Sequence, residues 1–181
     1  MAILTKNRLT ALTEGKLDTR TFSQVFNEAK SEHKSLTQTS IFLSHSHEDL
    51  RNGTVQKSIV FLRRLGLRIY IDSEDSNLSP FTNADTARLI KQKIINNNKF
   101  IFLATDNAIN SKWCNWELGF GDAHKYIDNI ALFPVSESAG TWTGNEYLRI
   151  YPRIEESNFQ ETYKIIFPTG TEISLGQWLL K

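Results

Sequence analysis

The 181 residues suit one domain, or one domain with an extension. Hydrophobic residues make up 40% and charged residues 23%, which excludes a mostly disordered chain. Lys plus Arg number 21 against 20 Asp plus Glu, a net charge of +1. That leaves no electrostatic case for nucleic acid or an acidic membrane surface as partner.

A chain this long buries roughly 70% of its extended surface, so it needs no disulfide or metal to hold a core. The single cysteine, Cys114, excludes an intramolecular disulfide and an all-cysteine zinc site, and fits a reducing compartment. Met1 to Leu12 alternates polar and apolar residues and lacks a signal-peptide core. No apolar run approaches the ~20 residues of a membrane span. The expectation is a soluble, cytoplasmic protein.

Residues 1–38 read as a helical extension. Leu9, Leu12, Leu17, Phe22, Val25, Phe26 and Ala29 recur at three- and four-residue steps in places. Gly15 breaks the pattern, Asp18 and Thr19 offer N-caps for a helix over 20–33, and Lys34 to Thr39 is a polar connector. Strand and helix signals then alternate. Ser40 to Ser44 is a short apolar run that fits a buried parallel strand. Ser46 to Asp49 has capping-box spacing and opens a helix burying Val55, Ile59, Leu62 and Leu65, with Gly66 at its C-terminal cap. Leu67 to Ile71 is a second strand, ending at Asp72.

The polar loop Ser73 to Asn83 exceeds the usual two to six residues of such connections, and long loops of this kind are often functional. Thr82 or Asn83 caps the next helix, with Ala87, Ile90, Ile94 and Ile95 inward. Phe100 to Ala104 is a third strand, Ser111 caps a helix over 112 to about 126, Ile130 to Val135 is a fourth strand, and Tyr147 to Ile150 a weaker fifth. Tyr163 to Phe167 and Glu172-Ile173 form a hairpin around Pro168-Thr-Gly170, and Ser174 caps a last short helix. Alternating strands and helices predict an α/β fold with an open, mostly parallel sheet covered on both faces. Ligands bind such sheets beyond the strands' carboxyl ends, here Ser44 to His47, Asp72 to Pro80 and Thr105 to Ser111.

No GxGxxG, GxxxxGK[ST] or GxSxG occurs, so the phosphate cradles and the nucleophile elbow are missing. Glu48-Asp49 falls inside the first helix of the main body, which weakens a receiver-type phosphoacceptor. His45 and His47 would need a third donor, such as Glu48 or Asp49, to hold a metal, and hydrogen-bonding loop histidines are the simpler reading. Cys114 lies near Lys112 in a first helical turn, where a thiolate is favoured, yet a packed cysteine is the commoner case. The sharpest feature is Ser111 to Gly121. Trp113 and Glu117 are four residues apart, one turn apart on one helix face. An aromatic plane beside a carboxylate suits a cationic or aromatic ligand, and a packed Trp with a solvated Glu is the alternative.

The stretch Ser40-Ile-Phe-Leu-Ser-His-Ser-His-Glu-Asp49 resembles the opening strand and loop of the Toll/interleukin-1 receptor (TIR) domain. Leu65 to Asp72 resembles its second strand, Ser73 to Asn83 its long loop, Lys99 to Thr105 its third strand, and Ser111-x-Trp-Cys-x-x-Glu-Leu118 the helix after it. The resemblance covers about 40–155. It implies a flavodoxin-like, five-stranded parallel sheet over 39–160, with residues 161–181 packed on it as a hairpin and short helix. It also implies cleavage of NAD+ at the nicotinamide–ribose bond, with NAD+ as substrate and no separate cofactor or metal. The catalytic glutamate maps onto Glu117 and the aromatic residue before it onto Trp113. Ser44, His45 and Asp72 supply the pocket wall, and Thr105, at the end of the third strand, is a further substrate-binding position.

Nicotinamide leaves NAD+ as a neutral molecule, so one carboxylate suffices where a glycosidase ordinarily needs two. Glu117 would grip the ribose hydroxyls and stabilise the oxocarbenium-like charge. Trp113 would stack on a base and fold the ADP-ribose back into a cyclic product. The standalone architecture resembles signal generators of Thoeris-type bacterial antiphage defence, which implies self-association through TIR surfaces and a separate effector for the product. A non-catalytic TIR scaffold and a nucleoside deoxyribosyltransferase-like enzyme are the alternatives.

Overall fold

The computed structural model describes residues 3–13, 39–65, 67–71, 83–138, 144–157 and 162–181. The expected helix over 20–33 with its caps, the connector up to residue 38, Gly66, Asp72 and residues 73–82 of the long loop lie outside the described residues.

Among the described residues the chain runs β1 (Leu4–Thr5), α1 (Lys6–Thr13), β2 (Ser40–Ser44), α2 (His47–Arg51), α3 (Thr54–Arg64), β3 (Arg68–Tyr70), α4 (Ala84–Asn96), β4 (Lys99–Ala104), α5 (Asp106–Asn110), α6 (Lys112–His124), β5 (Ile130–Ser136), β6 (Arg153–Glu156), β7 (Tyr163–Ile166), β8 (Glu172–Ser174) and α7 (Leu175–Leu180). The sheet order is β3-β2-β4-β5-β6-β7-β8, with β1 added beside β5. The five strands from β3 to β6 pair in parallel. The hairpin β7–β8 continues the same sheet antiparallel from β6. The architecture is mixed α/β with a central, mostly parallel sheet.

Central strands are apolar on both sides because both sides are covered. Ile41, Leu43, Ile101, Leu103, Ala131 and Phe133 point to one core with α1, α3 and α7. Their alternates Phe42, Phe100, Phe102, Ile130 and Leu132 point to a second core with α4, α5 and α6. Phe42 stacks on Phe100 at 5.5 Å, in register across β2 and β4. In the first core Phe61 meets Phe133 at 5.3 Å and the edge of Tyr163 at 4.7 Å.

Four local expectations are corrected. The helical extension is preceded by a strand: Leu4 and Thr5 pair parallel with Val135 and Ser136, and a two-residue strand leaves no periodic signal. The helix opening at Ser46 is two helices, because Gly53 takes a left-handed φ of 81° between them. Tyr147–Ile150 is a 3₁₀ turn with only Leu148 buried, and the fifth parallel strand is the charged segment Arg153–Glu156. That strand hides its charge by pairing Arg153 with buried Glu155 at 2.6 Å. Ile95 is 51% exposed, whereas Ile90 and Ile94 fill the core as expected.

Helix α6 lies close to the sheet where Gly121 passes Phe100. A Cβ at Gly121 would stand 3.2 Å from the Phe100 ring. That ring is fully buried and held by its stack on Phe42, so it cannot yield cheaply. Gly121→Ala is therefore expected to destabilise the fold by about 1 kcal/mol, overpacking outweighing the gain in helix propensity. A chemical-denaturation midpoint at or above wild type would contradict this.

Candidate active site

The carboxyl end of β2 and the first half of α6 meet at Ser44 and Glu117. Ser44 closes β2 on the Phe42 side of the pleat, the side that α6 covers. Its hydroxyl donates to Glu117 Oε2 at 2.6 Å. Both residues are buried, and Glu117 is 1% exposed. Glu117 shares the inner face of α6 with Cys114, Leu118 and Gly121, so it sits in the wall of the second core. A carboxylate shielded from water acts strongly on a nearby developing positive charge.

Helix α6 starts at Ser111, whose hydroxyl accepts from the Cys114 amide. Cys114 is buried in the second core and free of any disulfide, in the packed role. Trp113 is half-buried and stacks on Trp116, with centroids 4.6 Å apart and planes 21° apart. The stack continues through Phe120 to His124. The Lys91 ammonium of α4 stands over Trp116 and Phe120 at 5.6 and 5.3 Å. The Trp113 ring is therefore held as one end of an aromatic ladder.

His45 is buried, and its Nδ1 lies 3.1 Å from the Leu43 carbonyl. That bond fixes the ring beside Ser44. His47 is exposed at the first position of α2, so the two histidines do not share a surrounding. Among the described residues no three His, Cys, Asp or Glu side chains gather in a way that could hold a metal ion. Thr105 is separately engaged. Its hydroxyl donates to Asp49 Oδ2 at 2.5 Å and accepts from the Ala108 amide as the N-cap of α5. The structure thus joins Ser44 and Glu117 at one strand end, seats His45 next to Ser44 in the chain with its ring bonded back to Leu43, and turns Thr105 toward Asp49. Asp72 lies outside the described residues.

Sequence reasoning missed the partner of that Thr105 bond. Asp49 has capping-box spacing from Ser46, yet Ser46 caps the Glu48 amide alone and the Asp49 carboxylate turns inward. There it is fully buried and also accepts from Asn107 Nδ2 at 2.8 Å. Thr105 and Asn107 sit directly after β4, and a polar pair at that strand end was the available signal.

No described helix is long and apolar enough to cross a membrane. Residues 41–161 match the family model described as TIR domain. A probable 3′ cyclic ADP-D-ribose synthase, ThsB′, from Bacillus cereus (strain MSX-D12) is 32% identical over 118 residues, 63% of this chain and 59% of that protein. A putative cyclic ADP-D-ribose synthase, TIR2, from Cytobacillus dafuensis is 29% identical over 119 residues, 57% of this chain and 31% of that protein. The chain thus matches less than two thirds of either relative's length. The crystal structure of the TIR domain of the Toll-related receptor TRR-2 from Hydra magnipapillata aligns with a TM-score of 0.43 at 18% identity, over 60% of this chain and 76% of that one. With the family model covering most of the chain, and β2 and α6 carrying the motifs that resemble it, the chain belongs to the TIR domain family.

Proposed function

We propose that this chain cleaves NAD+ between nicotinamide and ribose and closes the remaining ADP-ribose into a cyclic product. The observation that carries the reading is Glu117, buried on α6 with its carboxylate held by the Ser44 hydroxyl at the carboxyl end of the sheet. Two relatives, one named a probable and the other a putative cyclic ADP-D-ribose synthase, support it.

In the proposed reaction the C1′–N bond breaks and its electron pair passes to the nicotinamide ring nitrogen. The leaving group departs neutral, so no proton donor and no separate cofactor are needed. Glu117 holds the ribose hydroxyls and stabilises the positive charge that grows on C1′. Ser44 keeps the carboxylate aimed and shares its Oε2. A nucleophile within the same ADP-ribose then attacks C1′ and releases its proton, while attack by water gives linear ADP-ribose. Trp113, steadied by Trp116, stacks on a base and favours the folded conformer. His45 belongs to the pocket wall beside Ser44, Asp72 is proposed to line it from the second strand end, and Thr105 acts from behind through Asp49.

Glu117 is closed off as it stands, so substrate entry needs neighbouring side chains to move aside. Self-association through TIR surfaces is part of this proposal, with turnover expected to rise on assembly. A cytoplasmic location and a separate effector that responds to the product, in antiphage defence, complete it.

The test is incubation of purified protein with NAD+ at low and high protein concentration, resolving nicotinamide, ADP-ribose and cyclic ADP-ribose. Equimolar nicotinamide and a cyclic product are expected. Turnover of free deoxynucleosides with NAD+ untouched would support a deoxyribosyltransferase-like enzyme instead. Absence of turnover in an assembled sample would support a scaffold. For Trp113→Ala the cyclic share of product is expected to fall severalfold while hydrolysis persists, since base stacking of this kind is worth about 1–3 kcal/mol. An unchanged product ratio would remove the stacking role.

A further inference from the structure

We infer that Asp49 is a positioning residue that locks the two halves of the active site in register, an inference that rests on the NAD+-cleaving role of Glu117. The Ser44 half of the site lies at the end of β2, with His45 to Asp49 following it, and the Glu117 half lies on α6. Beside the parallel pairing of β2 with β4, two side-chain contacts between described residues link these halves near the site. One is the Ser44–Glu117 hydrogen bond itself. The other is the Asp49 clamp, where one buried carboxylate takes the Thr105 hydroxyl on Oδ2 and the Asn107 amide on Oδ1.

The lever arms of the clamp are short and stiff. Between Ser44 and Asp49 lie four residues, tied by the His45–Leu43 bond and by the Ser46 cap on α2. From Thr105 the chain enters α5, and Ser111 is at once the C-cap of α5 and the N-cap of α6. Glu117 follows less than two turns later. A shift of α2 against α5 therefore strains the short segments that lead to Ser44 and to the α6 carboxylate. Asp49 is fully buried, and its described bonds go to Thr105 and Asn107. Its effect must therefore run through geometry. Misplacing reacting groups by about 1 Å can cost 10²-fold in rate.

The residue types fit this role. A carboxylate accepts on both oxygens at once, which a serine or threonine at this position could not do with both partners. Thr105 is equally committed, because its hydroxyl donates to Asp49 while accepting from the Ala108 amide. The strand end, the helix cap and the clamp thus share one hydroxyl.

The experiment measures kcat and KM for NAD+ in wild type, Asp49→Ala, Asp49→Asn and Asn107→Ala, each at a temperature well below its own melting point. Hydrogen–deuterium exchange of residues 44–51 and 105–117 is followed in the same samples. For Asp49→Ala, kcat is expected to fall at least about tenfold with KM within about threefold, the signature of a lost alignment rather than lost binding. Asp49→Asn retains a planar group that can meet both partners after reorientation, and is expected to recover most of that loss. Asn107→Ala removes half the clamp from a partly exposed site, so it reports even if Asp49→Ala does not fold, and kcat should fall severalfold. Both segments should exchange faster in Asp49→Ala and in Asn107→Ala. An unchanged kcat in folded Asp49→Ala or Asn107→Ala, with wild type active, overturns the inference and leaves the function standing. Wild type that releases no nicotinamide in any assembly state overturns the function, and with it the catalytic meaning of the clamp. Exchange unaffected by both variants overturns the clamp itself.

Discussion

Glu117→Gln is expected to abolish nicotinamide release, by on the order of 10³-fold or more, with the fold intact. The substitution conserves shape and size and removes only the charge. Ser44 Oγ can still donate to the amide oxygen, so the packing between β2 and α6 has no reason to change. Taking a buried charge out of the interior lowers a desolvation cost, so thermal stability should be equal or higher. The proposed activity, by contrast, rests on the charge. The ribose carbon becomes positive only in the transition state, and a carboxylate 1% exposed to water meets that charge through a poorly screening interior. The measurement is nicotinamide release at saturating NAD+, beside a melting curve for both proteins. Loss of activity with a lower melting temperature would point to a structural carboxylate. Full activity would remove Glu117 from the chemistry.

Ser44→Ala separates the two parts of that argument. It leaves Glu117 charged and removes its neighbour's donated hydrogen bond. A smaller loss than in Glu117→Gln is the expected order, because orientation is weakened while charge remains.

The sequence made the central strands legible because their apolar runs have no other use. The apolar run Ser40–Ser44 coincides with its strand, and the runs Phe100–Ala104 and Ile130–Val135 fall within one residue of Lys99–Ala104 and Ile130–Ser136. Helix α6 announced itself through Ser111 and the Trp113–Glu117 spacing, and both capping and register follow from local chemistry. What stayed hidden depends on contacts distant in sequence. Arg153–Glu156 is charged and reads as surface, yet it takes a place beside β5, where the Leu132 amide reaches the Pro152 carbonyl. Leu4–Thr5 is too short for any period to show. Asp49 looked like a helix cap because its true partners lie 56 and 58 residues away. The stacking of Trp113 on Trp116 was equally unreadable, since three-residue spacing on a helix does not say which rings lie flat on one another.

Trp178→Ala is expected to carry a large stability effect, because Trp178 is the largest fully buried side chain among the described residues, although it lies beyond the segment that matches the family model. Helix α7 starts on a capping box, Ser174 with Gln177, which places Trp178 one turn in and facing the sheet. The ring is fully buried in the core shared with Leu9, Ile101 and Phe133. Its indole N–H donates to the Asp128 carbonyl at 2.6 Å, and the Lys99 ammonium stands 4.8 Å above the ring. Removing a buried Trp costs about 3–5 kcal/mol, which in a domain of this size lowers the melting temperature by about 6–20 °C. Trp178→Phe keeps most of the packing and loses the bond to Asp128, so about 1–2 kcal/mol is expected. Lys99 supplies a second readout. Burial holds its pKa below 10.5, the charge of Asp128 opposing and those of Lys181 and Lys125 adding to the depression. Between that lowered value and 10.5 the unfolded chain binds more protons at this site than the folded one, so this group makes stability rise with pH. Losing the Trp178 ring admits water to the ammonium and moves its pKa back up, so that rise should flatten. Denaturant midpoints at pH 7, 9 and 10 for wild type and Trp178→Ala test both claims. A variant melting within about 3 °C of wild type, with the same pH slope, would show that α7 only rests on the sheet and that the Lys99 environment does not depend on the ring.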